Sequence, residues 1–224
     1  MVIAIDGPAA SGKTITAKLI AEKLGFKHLD TGAMYRAIAL YFIRNKITKF
    51  DDSSYLQSIL ETINIEYSFS NNLIILNGED VSDRIRKADI ADSVSKISSV
   101  KLVRKYLVQI QQNMSTNKNI VVEGRDIGTV VFPNAEIKIF LFADLNSRVK
   151  RRYAQLSTFD SKIDKNEIEK SIIKRDRMDS TRLDSPLIRA SDALEIDTTN
   201  LTIEEQTEKI LKIIKRKING RKFN

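Results

Sequence analysis

The sequence predicts an α/β fold built on a doubly wound, five-stranded parallel sheet, with an inserted β-hairpin and a helical lid. Two observations predict it: five short apolar runs fit buried parallel strands, and helical patterns separate most of them. The 224 residues suffice for one such domain with an insertion. The predicted strands are Val2–Ile5, Lys27–Leu29, Ile120–Val122, Ile137–Phe142 and Ala193–Ile196.

Helices are predicted between these strands from apolar spacing and from end signals. A helix over Thr14–Leu24 ends at Gly25, a residue that commonly terminates helices. Apolar residues at i, i+3, i+4 and i+7 run through Val100–Met114 and indicate one amphipathic face. Thr202 and Glu205 form a capping box, which predicts the start of the last helix.

One stretch departs from the alternation of strands and helices and predicts an insertion. An amphipathic helix over Leu56–Ile63 follows Asp52 as a candidate N-cap. Two apolar runs, Ile63–Phe69 and Leu73–Leu76, then flank a Ser-Asn-Asn turn, which is typical of an antiparallel hairpin. We therefore interpret residues 51–92 as an inserted subdomain.

A second departure lies in residues 148–179, which are polar and basic. The helical stretches Arg148–Leu156 and Lys165–Asp179 flank a polar loop, Ser157–Asp164. Because this segment has few apolar anchors, we expect it to act as a mobile lid. The ranges predicted to form the core are 1–50, 93–147 and 180–224.

Composition excludes several kinds of chemistry. The chain has no cysteine and one histidine, His28, which excludes thiol nucleophiles, disulfides, cysteine-bound zinc and two-histidine metal motifs. His28 is interpreted as structural. No basic n-region opens the sequence, and every apolar run is far too short to span a bilayer. We therefore expect a soluble, cytoplasmic protein without a membrane partner.

The net charge of +8 raises the question of a nucleic-acid partner. Residues 209–224 hold 7 Lys/Arg and no acidic residue. These charges alternate with the apolar side chains of an amphipathic helix, and no RNA-binding motif accompanies them. We interpret the tail as a solvated helix face and expect no nucleic-acid partner.

A P-loop occupies residues 7–14. The segment matches G-x-x-x-x-G-K-[ST], follows a predicted strand and opens a predicted helix. Its backbone N–H groups and the helix N-terminus suit phosphate, Lys13 can reach the β- and γ-phosphates, and Thr14 offers a hydroxyl to Mg²⁺. The predicted triphosphate-binding residues are Gly7, Pro8, Ala9, Ala10, Ser11, Gly12, Lys13, Thr14 and Ile15.

The rest of the chain favours a small-molecule kinase over a GTPase or a motor. Neither Asn45-Lys46 nor Asn117-Lys118 is followed by the aspartate of an N-K-x-D motif. Asp144 imitates a Walker B acid but directly precedes the basic segment, so we interpret it as a helix cap. Glu123, at the end of a predicted strand, is the alternative acid near Mg²⁺.

Arginines occur where an acceptor site would need them. A phosphate monoester is largely ionised at neutral pH, because its second pKa is about 6, so its transfer chemistry requires positioning and charge neutralisation rather than a base. Residues 30–36 (DTGAMYR) and 124–129 (GRDIGT) each follow a predicted strand, at the sheet edge where α/β proteins bind ligands. Arg175, Asp179 and Arg182 have the spacing of one helix face.

Together these motifs resemble those of the bacterial cytidylate kinases. The segments GPAASGKT, DTGAMYR, EGRDIGTVVFPNA, IFLFADLNSRVKRRYAQL and RDRMDSTRLDSPL occur in that order, and the resemblance extends from Val2 to about Thr202. It implies a P-loop core, an insert that binds the nucleoside monophosphate and a closing lid. It also implies transfer of phosphate from ATP to CMP or dCMP, a requirement for Mg²⁺ and a monomeric protein.

The resemblance further implies roles for individual residues. Thr31, Arg36, Arg125 and Arg182 surround the acceptor phosphate, with Asp30 beside them; Ser95, Arg104 and Asp126 read cytosine; Arg175 and Asp179 hold the pentose. Arg148, Arg151 and Arg152 match lid arginines that meet the ATP phosphates. The residues implied to be catalytic are Lys13, Arg125, Arg182, Arg148 and Arg152.

Two other functions stay open at this point. One is a kinase of the same fold that acts on another acceptor, for example UMP or dephospho-coenzyme A. The other is a basic, nucleotide-responsive RNA-binding protein, which predicts RNA binding that weakens steeply with salt. The sequence leaves open the preference between CMP and dCMP, the rate constants and the oligomeric state.

Overall fold

The computed structural model describes residues 1–157 and 164–221, and within them the chain forms eight strands and eight α-helices. Short helical turns also occur at Arg84–Arg86 and Ile127–Val131. In chain order the elements are β1 (Val2–Asp6), α1 (Lys13–Leu24), β2 (Lys27–Asp30), α2 (Thr31–Arg44), α3 (Ser53–Glu61), β3 (Ile65–Ser68), β4 (Leu73–Leu76), β5 (Glu79–Asp80), α4 (Ala88–Ser98), α5 (Lys101–Ser115), β6 (Ile120–Gly124), β7 (Ile137–Phe142), α6 (Leu145–Ser157), α7 (Lys165–Thr181), β8 (Leu194–Asp197) and α8 (Ile203–Arg221).

The predicted parallel sheet is confirmed, and β1 lies at its centre. The strand order is β2–β6–β1–β7–β8, and all neighbouring strands run parallel. Asp6, the last residue of β1, is in register with Gly124 of β6 and Phe140 of β7. The loops after β1 and β6 therefore leave the same edge of the sheet, which is the edge where such sheets bind ligands.

The five predicted strands are present, with ends that differ by at most two residues from the prediction. The predicted helix ends are confirmed as well. Gly25 adopts the left-handed conformation that ends α1, with φ of 67°. Asp52 caps α3 by accepting a hydrogen bond from the backbone N–H of Tyr55 at 2.9 Å. Thr202 and Glu205 exchange two capping hydrogen bonds of 2.8 and 3.2 Å.

Two apolar clusters cover the two faces of the parallel sheet. Ile3 and Ile5 of β1 belong to the cluster that contains Ile20 of α1, together with residues of α8. Ala4 belongs to the other cluster, which contains Met34 of α2 and residues of α4 and α5. Side chains alternate between the faces of a strand, and here both faces are covered. Because both faces of the sheet are buried, the core strands appear in the sequence as uninterrupted apolar runs.

The predicted hairpin is present within residues 51–92. Strands β3 and β4 pair antiparallel, with Ile65 opposite Leu76, and β5 adds a third strand that was not predicted. Leu56 of α3 and Ile74 of β4 belong to the same apolar cluster as α2. Since the insert and the core share this cluster, the subdomain limits stay a prediction.

Helices α6 and α7 form a separate layer over the P-loop. Val149 of α6 packs with Ile168 and Ile172 of α7 in a small third cluster, against which Ala10 of the P-loop also packs. Of the predicted polar loop, residues 158–163 lie outside the described part of the chain. Among the helices of the described ranges, none combines the length and the apolar character that a membrane span requires.

Candidate active site

The P-loop connects β1 to α1, and two glycines determine its path. A Cβ atom at Gly7 would lie 2.2 Å from the carbonyl oxygen of Leu141, so only glycine permits this close approach. Gly12 adopts a left-handed conformation, with φ of 87°, immediately before α1. Lys13 is buried, and its Nζ donates to the carbonyl oxygen of Pro8 at 2.9 Å. The side chain of Lys13 therefore contacts the backbone of its own loop.

The other predicted P-loop residues differ in their surroundings. Ser11 is fully buried, whereas Ile15 is 55% exposed on α1. The backbone N–H of Ala9 donates to Asp176 of α7 at 3.0 Å, and Ala10 contacts the small cluster of α6 and α7. The loop is thus in direct contact with the predicted lid.

Arg151 of α6 contacts the backbone of the P-loop and of the segment after β8. Its guanidinium donates to the carbonyl oxygens of Thr198, of Leu201 at 3.3 Å and of Ser11 at 3.4 Å. These bonds tie the segment between β8 and α8 to the P-loop. Three carbonyl oxygens therefore share this guanidinium, and contact of Arg151 with the ATP phosphates stays a prediction.

Thr14 and Glu123 form the pair of groups suited to a magnesium ion. The Thr14 hydroxyl donates to Glu123 Oε2 at 2.9 Å, and Glu123 is buried at the end of β6. Mg²⁺ prefers oxygen ligands and is held in kinases by one or two protein groups together with substrate phosphates. In the described ranges no group of three or more His, Asp or Glu side chains could hold a metal ion. These residues therefore fit a nucleotide-bound Mg²⁺ and no all-protein metal cage.

Asp144 has the capping role that the sequence predicts. Its carboxylate accepts from the backbone N–H of Ser147 at 2.6 Å and from the hydroxyl of the same residue at 3.2 Å. Asp144 therefore caps α6. The acid beside the P-loop threonine is Glu123 instead.

Asp30, Thr31 and Arg36 lie at the start of α2. One carboxylate oxygen of Asp30 caps the helix through the N–H of Ala33 at 3.0 Å, and the other accepts from Arg36 at 2.8 Å. Burial raises the pKa of Asp30, but the charge of Arg36, the hydrogen bond from Ala33 and other nearby positive groups together outweigh burial, so the pKa is lowered. The Thr31 hydroxyl donates to the carbonyl oxygen of Glu123 at 2.7 Å. This bond joins the predicted acceptor segment to the end of β6.

Four residues of the predicted acceptor site converge across α7 and the turn after β6. Arg125 Nε donates to Asp179 at 2.8 Å, and Arg182 lies 3.7 Å from the same carboxylate. Burial raises the pKa of Asp179, but the charges of Arg125, Arg175 and Arg182 and the hydrogen bond from Arg125 together outweigh burial and lower this pKa. Burial, and then repulsion from Arg125, lowers the pKa of Arg175 to about 10. So many cations near one carboxylate make this place electrostatically suited to an anion.

Asp126, Arg104 and Arg182 form a buried polar cluster behind this site. One oxygen of Asp126 accepts from Arg104, and the other lies 3.8 Å from Arg182. Arg104 also donates to the carbonyl oxygen of Ser98 at 3.1 Å. Ser95 is half-buried one turn earlier on α4. Asp126 and Arg104, two of the three residues predicted to read a base, are therefore in direct contact, and Ser95 precedes Ser98, whose carbonyl oxygen Arg104 contacts, by one helical turn.

The two remaining lid arginines are placed differently. Arg148 of α6 reaches the P-loop, where it donates to the carbonyl oxygen of Ala9 at 3.2 Å. Arg152 donates to Gln155 at 2.8 Å and is half-buried. Burial, followed by repulsion from Arg36, lowers the pKa of Arg152, which places it near the acceptor arginines.

Comparison with known sequences decides the family. The profile of the family described as "Cytidylate kinase" matches residues 3–216. The chain belongs to the cytidylate kinase family. It is 48% identical over 218 residues to a protein named cytidylate kinase from Fusobacterium nucleatum, covering 97% of each chain. It is 45% identical to one from Thermotoga maritima, covering 97% of this chain and 98% of the other.

A comparison of folds adds a distant structural relative. An uncharacterized protein from Eubacterium ventriosum aligns with a TM-score of 0.53, at 14% identity, over 96% of this chain and 98% of its own. At this identity the likeness concerns the fold alone, and it agrees with the helix-covered parallel sheet of this cytidylate kinase family member.

Two carboxylates of this family member were missed by sequence reasoning. Asp6 ends β1 and accepts from the N–H groups of Ile127 and Gly128 at 2.8 and 2.7 Å, while burial raises its pKa to about 6. Asp176 accepts from the P-loop and from α6. An acid at the end of an otherwise apolar strand is a signal for Asp6. Asp176 had only its place between Arg175 and Asp179 to indicate it.

Proposed function

We propose that this protein transfers the γ-phosphate of ATP to CMP or dCMP, producing ADP and CDP or dCDP. The observation that carries the proposal is the largely buried group of Arg125, Asp126, Asp179 and Arg182, in which Arg125 and Asp179 lie close enough to the P-loop lysine for their charges to act on it. Membership of the cytidylate kinase family supports the same acceptor.

On the donor side, the P-loop binds the triphosphate of ATP. Its backbone N–H groups and the N-terminus of α1 bind phosphate oxygens. Lys13 stabilises the negative charge on the transferred phosphoryl group. Thr14 and Glu123, which are hydrogen-bonded to each other, would hold Mg²⁺ from the protein side. When bound, Mg²⁺ neutralises charge between the phosphates.

On the acceptor side, arginines bind the monophosphate. Arg36, Arg125 and Arg182 neutralise its charge, and Asp179 keeps Arg125 oriented through the 2.8 Å hydrogen bond. The acceptor oxygen is already ionised at neutral pH, because the second pKa of a phosphate monoester is about 6. No general base is then required, which agrees with a chain whose single histidine, His28, lies beside Glu123 instead. Rate enhancement comes from positioning and from charge neutralisation.

The base is read by the cluster behind the arginines. Asp126 accepts from the exocyclic amine of cytosine, and Arg104 and Ser95 complete the polar contacts. Because cytosine and uracil differ at this exocyclic group, a fixed carboxylate acceptor discriminates between them.

An activity assay that compares several acceptor molecules tests the proposal. ADP release is measured with ATP and Mg²⁺ and with CMP, dCMP, UMP or dephospho-coenzyme A, each with and without added RNA. We expect turnover with CMP and dCMP and no effect of RNA. Release with another acceptor and none with CMP would favour the second kinase function, and salt-sensitive RNA binding without turnover would favour the RNA-binding function.

The lid is expected to become protected when both substrate sites are filled. Residues 148–157 of α6 are basic, and only Val149 among them is buried. A bisubstrate analogue supplies phosphates that pair with the arginines of α6, namely Arg148, Arg151 and Arg152. Backbone amide exchange in α6 should therefore slow by about ten-fold or more. Hydrogen exchange with mass spectrometry measures this, with α8 as the internal reference. Equal exchange rates in the free and the bound protein would indicate a static surface helix.

ATP binding is expected to take up a proton near neutral pH. Burial lowers the pKa of Lys13 to about 7, and the charge of Arg125 adds to this effect. Above that pH most Lys13 side chains are neutral in the free protein, and the triphosphate stabilises the charged form, so binding raises this pKa. At about pH 8 uptake should approach one proton, and it should fall to about half a proton near pH 7 and to a small fraction by about pH 6.

Calorimetry in two buffers of different ionisation enthalpy measures this uptake. The exposed Lys18 on the same helix provides the control, because Lys18→Ala should leave the uptake unchanged. Lys13→Ala should remove it. Identical binding heats in both buffers at about pH 8 would show that Lys13 is already charged before ATP binds.

A further inference from the structure

Asp176 of α7 joins three parts of the donor side. Its Oδ1 accepts from the backbone N–H of Ala9 in the P-loop at 3.0 Å, and its Oδ2 accepts from Arg148 of α6. Arg148 also donates to the carbonyl oxygens of Ala9 at 3.2 Å and of Ala143 at 3.1 Å. One carboxylate therefore contacts both the phosphate-binding loop and a lid arginine.

The position of Asp176 on its helix separates it from the acceptor site. Successive residues of an α-helix are about 100° apart, so Asp176 faces a different direction from Arg175. Arg175 lies near Arg125, whereas Asp176 faces the P-loop. Helix α7 thus serves the acceptor site with one side and the donor site with the other.

The bond between Asp176 and Arg148 is well placed to be strong. Arg148 is 12% exposed and Asp176 is 20% exposed, so water screens the pair only in part. A carboxylate that accepts from a guanidinium forms a charge-assisted hydrogen bond, which is stronger than a neutral one. The apolar cluster of Val149 and Ile172 lies nearby, but apolar packing is not directional. The hydrogen bonds therefore set the orientation of Arg148.

We propose that Asp176 is a positioning residue that holds Arg148 against the P-loop, so that Arg148 faces the phosphates of the donor nucleotide. The inference rests on the proposed function. Arg148 keeps Nε on the carbonyl oxygen of Ala143 and Nη1 on Ala9 and Asp176, while Nη2 has no hydrogen bond within the described ranges. The guanidinium is therefore fixed along one side beside the P-loop, and Nη2 is left available for a ligand oxygen.

A double-mutant cycle tests this inference. Asp176→Asn keeps an oxygen that can accept from Ala9 but removes the charge that holds Arg148. It should lower kcat/KM for ATP by about ten- to a hundred-fold, the range for losing a charge-assisted hydrogen bond. In an Arg148→Ala background the same substitution should cost less than about two-fold, because Asp176 acts through Arg148.

Two controls keep the result interpretable. Glu167→Gln removes an exposed carboxylate from the same helix and should leave kcat/KM for ATP unchanged. CMP affinity, measured by calorimetry, should stay within about two-fold in Asp176→Asn, which shows that the variant is folded and that its acceptor site is intact.

Three outcomes would overturn the inference: no loss in Asp176→Asn, an equal loss in the two backgrounds, or a loss of CMP affinity together with that of ATP. Failure of the proposed function is a separate result, because it would appear as absent CMP-dependent turnover in the unmodified protein.

Discussion

Replacing Lys13 with alanine should lower kcat for phosphoryl transfer by about 10³-fold or more and leave CMP affinity within about two-fold. Lys13 is held inside the P-loop, where its Nζ donates to Pro8, so its charge acts on the donor phosphates and on the transition state. CMP binds through the arginines of the other subsite. Burial, and then the neighbouring charges of Arg125 and Arg175, lower the pKa of Lys13, so removing the lysine also relieves repulsion beside the acceptor site.

Single-turnover kinetics and calorimetric CMP titration measure the two effects separately. Lys18→Ala, on the exposed side of the same helix, is the matched control and should retain full activity. If CMP affinity collapses together with activity in Lys13→Ala, the assignment of two separate subsites is wrong. Thermal unfolding of both variants distinguishes that outcome from loss of the fold.

Elements that depend on local sequence could be predicted. The strands are apolar runs because both faces of the sheet are covered, and Gly25, Asp52 and the Thr202 capping box mark helix ends through contacts within a few residues. The P-loop is likewise a local motif, since Gly7 and its neighbours shape it directly.

The pairing of side chains could not be predicted, because it depends on residues that are distant in the chain. Arg125 and Asp179 were both singled out, yet their hydrogen bond joins positions 54 residues apart. Asp6 reaches the turn at Ile127 across 121 residues, and Asp176 reaches Ala9 across 167. A sequence shows that such carboxylates exist but does not show which backbone N–H groups the folded chain brings to them.

Arg151 and Arg152 show that residues adjacent in the sequence can have different surroundings in the fold. Arg151 is next to Arg152 in the basic segment, and the spacing alone does not separate the two. On the folded helix α6, Arg151 contacts the carbonyl oxygens of Thr198 and Leu201, while Arg152 lies near the acceptor arginines. Adjacent residues of a helix are about 100° apart, which sends these two guanidinium groups to different places.

Replacing Asp126 with asparagine should lower the ratio of kcat/KM for CMP to that for UMP by about ten-fold or more. Cytosine presents an exocyclic amine where uracil presents an oxygen, and a carboxylate accepts from the first and repels the second. Asp126 is buried and held between Arg104 and Arg182, so it cannot turn away from a mismatched base. Each carboxylate oxygen can accept two hydrogen bonds, which leaves capacity for the base. Asparagine can turn its NH₂ group toward uracil.

The ratio distinguishes recognition of the base from a purely structural role of Asp126. If the carboxylate only orients Arg104 and Arg182, the substitution loosens both arginines, both acceptors lose activity in parallel and the ratio is unchanged. Orientation of Arg125 is a weaker alternative, because Asp179 already accepts from that guanidinium at 2.8 Å. Asp184→Asn is the matched control, since Asp184 is more exposed and lies 3.7 Å from Lys101. Steady-state kinetics with both acceptors on the two variants therefore decides whether Asp126 selects the base.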